Sequence, residues 1–222
     1  MQAPRVTGGL LEVLAGRDGV RAWRWGTTSG RDAPPRWRPP APDADAVLLD
    51  DGWWQLAGHP ATTDVRPDAA TTTALDRALQ PATVLDTALG DVDLDGSPDV
   101  VAAFRRPHRE TEVGRWLRGV PLVDDRGRSA HVGVYRLGSL RQRWVAGSVL
   151  RPVSALAACD GWLAVGLTTL ADPTTVTAVG AWRWGGFGFV TLPELAGTGR
   201  PACSDVDGDG LLDPVAIERT AS

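Results

Sequence analysis

Leu89-Gly-Asp-Val-Asp-Leu-Asp-Gly-Ser-Pro-Asp-Val-Val-Ala102 and Cys203-Ser-Asp-Val-Asp-Gly-Asp-Gly-Leu-Leu-Asp-Pro-Val-Ala216 are one motif used twice. In each copy three aspartates alternate (Asp91, Asp93, Asp95 and Asp205, Asp207, Asp209), a glycine follows (Gly96, Gly210), and a fourth aspartate (Asp99, Asp213) precedes an apolar run. Self-similarity of this kind is the signature of a repeat architecture, so the rest of the chain is read for its period.

Two shorter stretches, Asp51-Gly-Trp-Trp-Gln-Leu-Ala-Gly58 and Asp160-Gly-Trp-Leu-Ala-Val-Gly166, read as the same turn with the acidic loop shortened. With Asp51, Asp91, Asp160 and Asp205 as equivalent markers, the steps along the chain are 40, 69 and 45 residues. The long step contains a polar insertion, residues 107–129, and taking out its 23 residues leaves 46. A period of this size is that of a propeller blade.

The stretches after the markers also recur: an apolar run, a turn, then an aromatic alternating run. Val100 to Phe104 precedes His131 to Leu137, Trp162 to Leu167 precedes Val179 to Trp184, and Leu10 to Leu14 precedes Val20 to Trp25. β-Branched, small apolar and aromatic residues bounded by Gly, Pro and Asp favour short strands, because such runs fit a pleated surface and the breakers end them early. Only Ala70 to Gln80 has helical spacing. The N-terminal unit has strands but no marker, while the C-terminal unit has a marker and one strand, Pro214 to Arg219. Pairing the two ends completes both and hides strand edges. The expectation is a single all-β domain, 1–222: a small β-propeller of four to five blades closed by N- and C-terminal strands, with units near 5–40, 46–80, 84–150, 153–195 and 200–222.

The acidic loops point to a metal. Alternate positions of a curled loop aim their carboxylates at one centre, and calcium takes six to eight oxygen ligands. The expected ligands are Asp91, Asp93, Asp95, the Ser97 carbonyl and Asp99 in one loop, and Asp205, Asp207, Asp209, the Leu211 carbonyl and Asp213 in the other. Four carboxylates brought within a few ångströms repel one another unless a divalent ion neutralises them. Two Ca²⁺ ions would cancel the formal charge of −4. The pattern begins like an EF-hand loop, but Ala102 and Ala216 stand where that loop needs its twelfth-position carboxylate, and both loops run into strands.

These loops resemble FG-GAP/VCBS repeats, the units of integrin α-subunit propellers and of many bacterial surface proteins. The close similarity is confined to the two loops, 14 residues each in a chain of 222. The resemblance implies a propeller with calcium in inter-strand loops, where the ion stiffens the blades and the faces or rim bind other molecules. The turns at Asp51 and Asp160 depart from the pattern, being too short to supply four carboxylates.

Composition narrows the function further. Of 27 acidic residues only Glu12, Glu110, Glu112, Glu194 and Glu218 are Glu, so the acidity is mostly Asp, the short carboxylate of turns and metal loops. Positive charge comes from Arg alone, and a pI near 5.4 gives no electrostatic footprint for nucleic acid or for an anionic membrane surface. No apolar run is long enough to span a membrane. Met1 to Glu12 lacks the layout of a secretory leader, so an exported form would have had its leader removed.

Cys159 and Cys203 precede equivalent markers, which leaves two readings open: a disulfide between neighbouring strands, or two buried thiols. Trp23, Trp25, Trp182 and Trp184 recur at matching positions and are expected in the packing between blades, leaving Trp37, Trp53, Trp54 and Trp116 as the exposed candidates. No nucleophile elbow, phosphate-cradling loop or HExxH pair is present. The expectation is therefore a monomeric, extracytoplasmic calcium-binding module, secreted or at the cell envelope, that serves as a scaffold for protein partners and is not an enzyme; a lectin-like or polysaccharide-acting propeller is the alternative. The insertion at 107–129 is a candidate partner loop.

Overall fold

Val100-Val-Ala-Ala-Phe104 has no polar alternation, the pattern of a strand buried on both faces. It lies at the heart of a stack of sheets. The computed structural model describes residues 11–14, 20–25, 46–48, 54–56, 65–108, 122–192, 194–196, 199–204 and 211–219, with 11–14, 20–25, 46–48, 54–56 and 217–219 described by their backbone alone.

The strands in chain order are β1 (Leu11–Leu14), β2 (Val20–Trp25), β3 (Ala46–Leu48), β4 (Trp54–Leu56), β5 (Thr83–Gly90), β6 (Asp99–Pro107), β7 (Arg128–Arg136), β8 (Gln142–Val145), β9 (Val153–Cys159), β10 (Trp162–Leu167), β11 (Ala178–Trp184), β12 (Phe189–Thr191), β13 (Leu195–Ala196), β14 (Arg200–Ser204) and β15 (Asp213–Arg219). One helix, α1 (Ala69–Leu79), precedes β5 where helical spacing predicts it. Asp68 caps it by accepting the Thr71 N–H at 2.7 Å, which satisfies one of the open donors of the first turn.

Among the described residues every strand pairing is antiparallel. The order β5-β6-β7-β8 makes one sheet and β9-β10-β11-β12 a second, with β13 also paired to β11. The third joins the two ends of the chain in the order β1-β2-β15-β14, with Ala216 opposite Trp23. The expected pairing of terminal strands is thus present, and β3 and β4 form a separate hairpin. Each of the four Asp markers lies in the chain between two paired strands: Leu48 is opposite Trp54, Gly90 opposite Asp99, Cys159 opposite Trp162 and Ser204 opposite Asp213.

The sheets stack face to face. On β6, Val101 and Ala103 enter a core shared with Leu156 of β9 and Leu163, Val165 and Leu167 of β10, while Val100, Ala102 and Phe104 turn the other way and pack with Leu75 and Leu79 of α1. On β10 the alternation repeats, with Trp162 and Ala164 facing a core that includes Cys203 and Ala216 of the third sheet. Each fully buried Leu or Val contributes about 1.5–3 kcal/mol, so the alternating faces of β6 and β10 hold three layers together.

At the seams the first strands of the sheets approach closely. A Cβ added at Gly90 of β5 would sit 2.5 Å from the Ala158 carbonyl oxygen of β9, so glycine is required for this approach. One step further, Cys159 of β9 and Cys203 of β14 are joined by a disulfide with Cα atoms 5.5 Å apart. Of the two readings that spacing leaves open, the bond is the one realised. The insertion leaves the first sheet after β6 and returns at β7; its residues 109–121, with Trp116, lie outside the described residues, as do Trp37 and Trp53 and the side chain of Trp54. Among the described residues no helix is long and apolar enough to cross a membrane.

Candidate cation loop and its surroundings

Residues 91–98 link β5 to β6, and local chemistry curls them. Leu94 and Gly96 adopt positive φ of 59° and 82°, the second a conformation glycine enters without strain. The aspartates hold the curl by accepting backbone N–H groups: Asp91 takes those of Asp95 (3.1 Å) and Gly96 (2.8 Å), Asp93 that of Asp95 (3.3 Å), and Asp95 that of Ser97 (3.0 Å). Asp91 also fixes the loop to the next sheet, since its carbonyl accepts the Gly161 N–H at 3.0 Å.

Asp91, Asp93 and Asp99 converge, each with a carboxylate oxygen within 4.8 Å of the others. Asp99 opens β6 and is 1% exposed, and neither of its carboxylate oxygens has a hydrogen-bond partner. Burial first, and then repulsion from Asp93, Asp95 and Asp91 against the pull of Arg143, pushes its pKa up to about 6. A buried carboxylate without hydrogen bonds in an all-oxygen donor set is what a hard divalent cation would satisfy, so these residues fit such an ion.

Asp95, the remaining expected carboxylate of this loop, is paired with arginines. Arg143 of β8 reaches back to pair with Asp93 and, at 2.5 Å, with Asp95, while Asp99 lies 3.9 Å from it. Arg136, at the end of β7, lies directly opposite Asp99 in the ladder and pairs with Asp95 at 3.2 Å. The Arg143 contact, before any other cause, holds the Asp95 carboxyl below its ordinary range. Neither arginine follows from motif spacing. Only the meander, which folds β8 back alongside the loop between β5 and β6, brings them there.

In the second loop Asp205, Asp207 and Asp209 lie outside the described residues. Asp213 begins β15 opposite Ser204, the same register that sets Asp99 opposite Gly90, and Leu211 is exposed. The Asp160 turn uses its carboxylate differently, accepting the Leu212 N–H at 2.9 Å and so tying the second sheet to the loop of the third.

A second concavity, about 450 Å³, opens between the first and second sheets, lined by Trp144, Val149, Leu167, Trp182 and Phe189, with Arg151 and Glu194 forming an ion pair at its edge. Trp182 is buried and Trp184 half-buried, and Trp144, Trp184 and Phe189 meet edge to face, so the tryptophans of β11 pack between sheets as their recurrence predicts. The side chains of Trp23 and Trp25 are outside the described residues.

Comparisons of the chain with protein-family models, with curated proteins and with solved structures return no match.

Proposed function

We propose that this chain is a calcium-stabilised β-propeller of the FG-GAP/VCBS kind, working outside the cytoplasm as a scaffold that presents its faces to protein partners. The observation that carries the reading is Asp99: a carboxylate removed from water, without a hydrogen-bond partner, and gathered with Asp91 and Asp93 about one point. Calcium is the hard, oxygen-seeking ion that loops with alternating aspartates and a tight glycine bend suit. A second ion in the loop from Asp205 to Asp213 follows from its matching sequence and from the matching Ser204–Asp213 register.

Three sheets of like connectivity, an Asp-marked turn after the first strand of each, and terminal strands joined in one sheet support the propeller, with the β3–β4 hairpin as the start of a fourth blade. The disulfide supports an oxidising compartment. The test is calorimetric titration with calcium alongside thermal melts in calcium and in chelator, for the wild type and for Asp93→Ala and Asp207→Ala. An ion bound only by the folded state raises the melting temperature by mass action, and each variant removes part of that gain. Identical melting curves in calcium and chelator would sink the proposal.

The aromatic concavity favours carbohydrate binding as a second reading, because a cleft of this volume with aromatic walls and an Arg–Glu pair at its edge has the dimensions and mixed polarity of a small-ligand site. A glycan array with wild type and Trp144→Ala distinguishes the two: saccharide binding lost in the variant supports the lectin reading, and a blank array supports the scaffold.

A further inference from the structure

Beside the acidic loop, the turn between β7 and β8 forms a cleft of about 430 Å³ lined by Arg136, Arg141, Gln142 and Arg143. Its frame is fixed by backbone bonds, Arg136 N–H to the Arg141 carbonyl at 3.0 Å and Leu140 N–H to the Arg136 carbonyl at 2.9 Å. Two of its arginines point at the loop's carboxylates. Arg141 has no carboxylate partner among the described residues.

We propose that this cleft is an oxyanion site coupled to the cation loop: a divalent ion at Asp91, Asp93 and Asp99 draws Asp93 away from Arg143, which together with Arg136 and Arg141 then binds a sulfate, phosphate or carboxylate group. The inference rests on the cation reading above and adds a second ligand to it. Its physical basis is charge. Asp91, Asp93, Asp95 and Asp99 against Arg136, Arg141 and Arg143 leave a local charge of −1, which repels an anion; a divalent ion turns it to +1. The ion also competes for Asp93, one of the two carboxylates that hold Arg143; the guanidinium keeps its pair with Asp95 and offers the edge that Asp93 gives up to a planar or tetrahedral oxyanion. Because the two ligands share these groups, each must raise the affinity for the other by the same factor.

The experiment is calcium titration calorimetry of the whole chain in sodium sulfate and in sodium chloride at matched ionic strength, with allowance for calcium–sulfate pairing in solution. The expected result is calcium affinity at least about fivefold higher in sulfate. Arg141→Ala, an exposed substitution outside the cation loop, should abolish the gain and leave calcium affinity in chloride within about twofold. A parallel titration in glucose 6-sulfate separates sources: a free ion couples as strongly alone as on the sugar, whereas an oxyanion carried on a larger ligand couples more strongly on it. Calcium binding with no difference between sulfate and chloride overturns the coupled site while sparing the cation reading, as does a sulfate effect that persists in Arg141→Ala. Absence of calcium binding in both salts removes the cation reading and this inference together.

Discussion

The carboxylate of Asp86 on β5 accepts the backbone N–H of Leu156 on β9 at 2.7 Å, across a seam where no strand ladder runs. Its other oxygen takes Arg66 at 2.5 Å, and Arg66 also donates to the Thr87 carbonyl. Burial, outweighing Arg66, raises the Asp86 pKa, so the carboxylate is held there at a cost that its hydrogen bonds offset. Truncation leaves the Leu156 amide unsatisfied in the seam. Asp86→Ala should lower stability by about 1–3 kcal/mol. Urea denaturation measures it, and a midpoint equal to that of the wild type would show the tie to be redundant.

The Cys159–Cys203 bond lies on the next seam and closes a loop with a sequence separation of 44. A crosslink of that span restricts the unfolded chain, and about 2–4 kcal/mol is expected from it. The double substitution to Ser should melt several degrees lower than the wild type in the absence of reductant, and thiol titration of the denatured, unreduced wild type should find no free thiol. Detection of two thiols per chain would contradict the bond.

Much of this architecture is legible in the residues. The duplicated Asp motif marks turns between paired strands, the unbroken apolar run at Val100 announces a strand buried on both faces, and the unequal ends of the chain foretell β2 beside β15. Spacing could not decide the cysteines, because it gives equivalence between repeats but not the distance between first strands, which the bare backbone at Gly90 helps to set. Nor could it foresee Arg143. That side chain is far from the loop in sequence, and its role arises only when the meander folds β8 back. The short markers at Asp51 and Asp160 suggest a degenerate acidic loop, and at Asp160 the carboxylate has become a hydrogen-bond acceptor for a neighbouring sheet.

His131 makes acid stability testable. It is buried on β7, stacked on Phe104 with ring centroids 5.4 Å apart, and its Nδ1 faces the Ala146 carbonyl at 3.2 Å, so Nε2 is left to accept the Ser129 hydroxyl at 2.8 Å. Burial lowers its pKa below the ordinary 6.5. In the window between the depressed folded value and 6.5 the unfolded chain binds the proton more readily. The contribution is therefore whole above pH 6.5 and is lost on acidification, at up to about 1.4 kcal/mol per pH unit. Denaturation at pH 7, 6 and 5 without divalent ions should show the wild type losing stability relative to His131→Gln as the pH falls. Taking that difference cancels the opposite contributions of Asp86 and Asp99, and parallel pH profiles would refute the assignment.

Asp99 gives the sharpest test of the cation loop, because its two predicted effects have opposite signs. Without an ion, its ionised form is buried, lacks a hydrogen-bond partner and lies close to three other carboxylates, which outweighs the pull of Arg143 and is why its pKa stands near 6 against an ordinary 3.8. Asp99→Asn removes that charge at nearly constant volume, so at pH 7 in chelator the variant should be more stable than the wild type, by roughly 1–2 kcal/mol. With calcium the order reverses: the wild type gains binding free energy through the carboxylate, and the variant loses most of that gain. Denaturant midpoints for both proteins, each with calcium and with chelator, form a cycle whose coupling reads the ion's interaction with this one side chain. A variant less stable than the wild type in chelator, yet equally responsive to calcium, would assign Asp99 a purely structural role and move the ion elsewhere.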